Sequence, residues 1–131
     1  MSAATDYTEA LALNWLLTTT TVTRPTTWYV GLFTSATSDA GAGTEVSGNG
    51  YARQSAAFSV ATVSGTTKAS NTATITFPVA TGTWGTITYI AIFNASSSGQ
   101  MLFHGPVVTS KLIEVDDSFQ ITAGNLTVEL Q

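Results

Sequence analysis

Few side chains in this chain could do chemistry, and their spacing decides against most of it. His104 is the single histidine, and there is no cysteine. A general base is most often histidine, and zinc sites draw on several His or Cys ligands. His104, within Leu102-Phe103-His104-Gly105, reads instead as a strand residue with a hydrogen-bonded ring. Glu114, Asp116 and Asp117 form the only acidic cluster. Glu114 and Asp116 are expected to share a strand face, where they could bind Ca²⁺ or act as paired carboxylates in glycan hydrolysis. The EF-hand spacing is absent, so a solvated turn is the plainer reading. Asp39 and Glu45, in a long loop, could contribute to a further site of that kind.

Gly41-Ala42-Gly43 and Gly48-Asn49-Gly50 have the look of phosphate cradles. Neither has the lysine or the following helix that phosphate binding uses. Ser47 is preceded two residues earlier by Glu45, where a nucleophile elbow requires glycine. No catalytic residue, cofactor site or metal ligand is assigned. Asn94-Ala95-Ser96 and Asn125-Leu126-Thr127 match the glycosylation pattern but read as chance matches. The aromatic residues could stack on sugars, yet they are spread through predicted strands and a predicted helix, where core and interface packing is their ordinary role. The candidate interface residues are Tyr7, Leu11 and Trp15 near the N-terminus, and Tyr51 and Arg53 beside the glycine-rich loop.

The composition points the same way. The chain has 131 residues, 44% hydrophobic and only 9% charged, where about 25% charged is ordinary. Thr and Ser take the place of charge. Such a surface stays wet without repelling a neighbouring subunit, which suits close packing in an assembly. Net charge is −4, and the cations are Arg24, Arg53, Lys68 and Lys111. Scattered in this way they form no nucleic-acid-binding patch. No apolar run is long enough for a transmembrane helix. The first residues, Met1 to Asp6, lack the basic and apolar parts of a signal peptide, so synthesis in the cytoplasm is expected.

These residues must be positioned by a mostly β framework. Asp6 and Glu9 have the spacing of an N-cap and its capping-box partner. Tyr7, Leu11 and Trp15 then recur at helical spacing, with Ala10, Leu13 and Leu17 on the adjoining stripe. Such a helix can pack on its own domain or dock partly on a neighbouring subunit. The β-branched run Thr18–Thr21 ends it. From Trp28 onward the period is two, and Ile87–Phe93 is apolar enough for a central strand buried on both faces. Ser96-Ser97-Ser98-Gly99 is a turn, and Gln100–Val108 returns as its hairpin partner. Residues 111–115, 119–121 and 126–130 are expected to complete the sheet. The fold class is mostly β: an antiparallel sandwich or jelly roll of seven or eight strands with one N-terminal helix. Residues 1–25 form the helix and arm, and 26–131 the β-sandwich domain.

Several segments together resemble a known family. They are Trp28-Tyr29-Val30-Gly31-Leu32-Phe33-Thr34, then Gly43-Thr44-Glu45-Val46-Ser47-Gly48-Asn49-Gly50-Tyr51-Ala52-Arg53-Gln54, Phe77-Pro78-Val79-Ala80, Trp84-Gly85-Thr86-Ile87, Leu102-Phe103-His104-Gly105, and Ala123-Gly124-Asn125-Leu126-Thr127-Val128. In this order they resemble small bacteriophage proteins commonly labelled tail fibre proteins, from about residue 26 to the C-terminus. The resemblance implies a virion structural protein, made in the bacterial host cytoplasm, with no enzymatic residues. Fibres usually carry elongated shafts and repeats, and this compact chain shows neither. An oligomeric capsid decoration or cement subunit is therefore expected, with the major capsid protein or tail proteins as partners. The alternatives are a tail or tail-fibre-associated subunit and, in a different class, a carbohydrate-binding module.

Overall fold

Residues 3–130 are described by the structure, a computed structural model. Met1 and Ser2 of the predicted arm, and Gln131 at the end of the predicted domain, lie outside the described residues. The chain begins with β1 (Ala3–Ala4) and α1 (Asp6–Leu17), and continues with β2 (Tyr29–Phe33), β3 (Gln54–Ser55), β4 (Phe58–Val63) and β5 (Thr66–Asn71). It ends with β6 (Ile75–Thr76), β7 (Gly85–Phe93), β8 (Met101–Ile113), β9 (Gln120–Ile121) and β10 (Thr127–Glu129). All pairings are antiparallel. One sheet has the order β1-β8-β7-β2-β3, a second β10-β5-β4, and β6 pairs with β9.

The expected mostly β, antiparallel sandwich with one N-terminal helix is the fold observed. The strand count differs: among the described residues ten strands form, four of them only two residues long. Residues 54–63 form two strands, β3 and β4, and the strand expected at 111–115 is the far end of the long β8, which stops at Ile113. Between the pairs Ile87–Lys111 and Tyr89–Pro106, residues 107–110 stand opposite Thr88 alone. That bulge turns Val108 fully into solvent.

β7 is central, as its continuous apolar run predicts. Ile90 and Ile92 face inward with Val30 and Leu32 of β2, and meet Val128, Phe77, Ile121 and Leu126 in the main core. Ala91 and Phe93 point to the opposite face, where they form a smaller cluster with Phe33 and Met101. Both faces of β7 are thus buried because the segment over 34–50 covers the outer one. Its return stroke pairs with the end of β2: Thr34 N–H donates to Thr44 O, Val46 N–H donates to Leu32 O, and Phe33 bridges Glu45. The period of two then sends Val46 into the core and Glu45 to the outer face.

The helix starts one residue earlier than its spacing implies. Thr5, not Asp6, is the N-cap, and its hydroxyl accepts from Thr8 N–H at 3.4 Å. The reason is tertiary. The Thr5 hydroxyl is buried against β8, 2.6 Å from the Met101 carbonyl, and Thr8 Oγ1 donates to Leu102 O at 2.7 Å. Asp6 and Glu9 stay in the first turn, where negative charge suits the helix dipole. The threonine run does end the helix. Thr18 is extended, and its hydroxyl donates to the Asn14 carbonyl.

Candidate functional site

Two places draw together the residues singled out by sequence. The first lies on the outer face of β2, above Gly31. Glu45 reaches there from the returning loop, Tyr51 and Arg53 from the segment leading to β3, and Phe93 from the end of β7. Arg53 Nε and Nη2 donate to Glu45 Oε2 and Oε1, each at 2.9 Å, a two-pronged pairing. Arg53 Nη1 donates to the carbonyls of Ala95 and Ser98 in the β7–β8 turn, at 3.0 and 2.9 Å. Its guanidinium carbon lies 3.5 Å from the centre of the Phe93 ring. All three nitrogens of this cation are therefore bonded within the chain, and the side chain is 9% exposed.

Tyr51 threads the same network into the core. Its ring stacks on Phe77 and meets Trp84 edge-on, with centroids 6.1 and 5.4 Å apart. Its hydroxyl donates to Glu45 Oε2 at 2.6 Å and accepts from Leu32 N–H at 3.0 Å. Burial, and secondarily the bond to the Glu45 carboxylate, push the Tyr51 hydroxyl far above its ordinary pKa. It stays protonated. Gly31 makes room for all this, since a Cβ there would stand 2.8 Å from Glu45 Oε2 and 3.1 Å from Phe93.

The expectation of an exposed contact at Tyr51 and Arg53 is corrected accordingly. Tyr51 is half-buried, and both polar ends are consumed internally. The motif Gly48-Asn49-Gly50 is likewise structural. Asn49 Nδ2 donates to Thr83 O, and its own carbonyl accepts from Trp84 Nε1. The sequence signal for this staple was available in part, because Glu45, Tyr51 and Arg53 are close in the chain. Phe93 and the turn carbonyls, about forty residues further on, carried none.

The other chemical candidates resolve in the same direction. His104 is buried, with Nδ1 2.7 Å from Thr37 Oγ1 and Nε2 2.8 Å from Asp39 Oδ1. It is the hydrogen-bonded strand residue that its context predicts, and it pins the loop over residues 34–44. Glu114, Asp116 and Asp117 do not share a strand face: β8 ends at Ile113, and Asp116 has φ of +71° in the turn that follows. Asp117 Oδ2 accepts from Glu114 N–H at 2.9 Å, and all three residues are exposed. This is the solvated turn. Among the described residues, no group of three or more His, Asp or Glu side chains could hold a metal ion.

Asn71 is a residue that sequence reasoning passed over. It is 3% exposed. Its side chain donates to Ala73 O and Thr122 O and accepts from Leu126 N–H, tying β5 to the approach to β10. Buried asparagine is justified only by such full pairing, and nothing local to Ser70-Asn71-Thr72 announces it.

The second place is the helix. No residue of α1 is buried. Tyr7 is at the margin of exposure, Leu11 is half-buried, and Trp15, Leu16 and Leu17 are 68%, 70% and 76% exposed. From Ala10 to Thr23 there is no charge at all. A helix that is apolar on more than one side is ordinarily covered on those sides. No helix among the described residues is long and apolar enough to cross a membrane. Tyr7, Leu11 and Trp15 thus lie on one stripe of α1, from half-buried to exposed, while Tyr51 and Arg53 belong to an internal staple.

Near the helix, the space between the two larger sheets is open at one end. A groove of about 420 Å³ lies there, floored by Trp28, Phe58, Ile92 and Phe103, with Arg24 and Lys68 also lining it.

No curated protein matches the chain. A family model described as Podophage GP4 fiber I protein gp80 matches residues 3–129, nearly the whole of it, and the chain belongs to that family of phage fibre proteins.

Proposed function

We propose that this protein is a non-enzymatic, oligomeric structural subunit exposed on the surface of a podophage particle, joined to its neighbours through α1. The observation that carries the reading is the helix: twelve residues, apolar on more than one side beyond its acidic first turn, without one buried position. Burying exposed Leu and Trp side chains contributes roughly 1.5–3 kcal/mol each. A subunit interface can recover that, and an isolated chain in water cannot. The family description supports a fibre component. The charge-poor surface supports close packing, and the internal consumption of Arg53, Tyr51 and His104 supports a scaffold more than a reactive site.

For its place on the particle, the compact sandwich without a repeated shaft supports a capsid decoration or cement subunit, and the fibre family supports an appendage, whether on the shell or the tail. Copy number tests this. Quantitative mass spectrometry of purified particles is expected to find the chain in stoichiometric relation to the capsid protein, at hundreds of copies. A few to a few dozen copies would make it a tail subunit. Its absence from washed particles would overturn the structural reading. The carbohydrate-binding alternative has only Trp15 as a strongly exposed ring among the tryptophans, since Trp28 is half-buried and Trp84 buried. A glycan array with the purified chain tests it, and the structural reading expects no binding.

A further inference from the structure

Helix α1 lacks a cover, and the open end of the sandwich lacks a filling. We propose that the C-terminal half of α1 from one copy seats in the groove between the two sheets of a second copy. This rests on the oligomeric reading above and names the two surfaces that meet.

The surfaces complement one another in apolarity and in charge. Trp15, Leu16 and Leu17 are 68%, 70% and 76% exposed and, being consecutive, spread apolar surface around the end of the helix. The groove answers with an apolar floor, and with Val60 and Leu130 on its rim, 70% and 68% exposed. None of its lining residues comes from α1 of the same chain.

The last turn of α1 has no basic residue. No charged side chain therefore offsets the partial negative charge of its terminal carbonyls, of which Thr18 caps that of Asn14. Arg24 and Lys68, two of the four cations in the chain, line the groove. Lys68 pairs with Glu129 at 3.4 Å and still keeps 49% of its side chain exposed. An apolar helix end carrying partial negative charge thus meets an apolar groove lined by positive charge. The first turn of α1 stays held to β8 of its own chain through Thr5 and Thr8, so only the exposed half is delivered to the neighbour. A helix docking on a different surface of an identical partner is a heterologous contact, and it grows into a closed ring or a filament.

The test uses the full chain and two variants changed only at exposed positions. One carries Trp15→Glu and Leu16→Glu, the other Val60→Glu and Leu130→Glu. Circular dichroism and Tm verify that both fold. In sedimentation velocity the unaltered chain is expected to assemble, and each variant alone to be monomeric. An equal mixture of the two variants is expected to form a dimer and nothing larger, because one intact helix and one intact groove remain per pair. If the groove variant keeps the original oligomeric state while the helix variant is monomeric, helix meets helix. This proposal then fails while the oligomeric subunit stands. If the unaltered chain is monomeric at its highest soluble concentration, the docking proposal also fails, and the particle copy number decides the structural role separately.

Discussion

Arg53 grips Glu45 with two 2.9 Å hydrogen bonds, although only eight residues of chain separate them and both leave a glycine-rich loop. The pairing closes that loop over the outer face of β2. The remaining guanidinium nitrogen fastens the β7–β8 turn through the carbonyls of Ala95 and Ser98. One cation therefore closes the glycine-rich loop on itself and ties it to a turn more than forty residues further on.

Arg53→Met is expected to cost about 2–4 kcal/mol. It leaves a largely buried carboxylate without its partner, and removing one member of such a pair costs more than the pair itself contributes. Glu45 keeps 23% of its side chain exposed, which holds the loss below that of a fully dry pair. The double variant Glu45→Gln, Arg53→Met is expected to recover part of the loss. Denaturant melts of the four forms in a double-mutant cycle measure it.

Stability is expected to fall at alkaline pH through Tyr51. The folded-state pKa of this hydroxyl lies above that of the unfolded chain, about 10. Above that pH the folded state binds more protons than the unfolded state, so the slope of unfolding free energy with pH is negative. The contribution is complete below pH of about 10 and declines as pH rises further. Tyr51→Phe removes it, so the difference in Tm between the two forms is expected to shrink as pH rises beyond about 10.

Gly31→Ala is expected to destabilise by about 1–3 kcal/mol, the range for overpacking. The new methyl meets the Glu45 carboxylate and the Phe93 ring together. Combining it with Glu45→Ala is expected to cost less than the sum of the two changes, since the closest clash is then gone. Urea midpoints of the single and double variants check this.

Thr5→Val with Thr8→Val is expected to release the start of α1 from β8 while leaving the sandwich intact. The cap alone contributes about 1 kcal/mol. Hydrogen exchange is expected to speed up across residues 6–17 and to stay unchanged in β7. Equal protection of α1 in both forms would mean the Thr5 and Thr8 contacts are not what holds it.

The sequence by itself determined the class and several elements. The continuous apolar run over Ile87–Phe93, the alternation over Trp28–Phe33 and the helical spacing over Tyr7–Trp15 are local patterns, and they mark two strands and a helix without reference to any distant partner. The absence of cysteine, of a second histidine and of basic clusters also follows from inventory alone. The family resemblance was likewise legible in its motifs, because strand and turn residues lie contiguous in the chain.

Tertiary structure decided how those residues are used. Asp6 lost the N-cap to Thr5 because β8 offers its carbonyls to the Thr5 hydroxyl from almost one hundred residues away. Arg53 turned inward because the Phe93 ring and two turn carbonyls, supplied by β7 and its hairpin, surround it where local context showed only an open loop. Glu114 and Asp116 parted because the ladder ends at Ile113. In each case the deciding partner is distant in sequence. For the strands, period and composition state which faces are buried; the group that meets each is set by how the sheets stack.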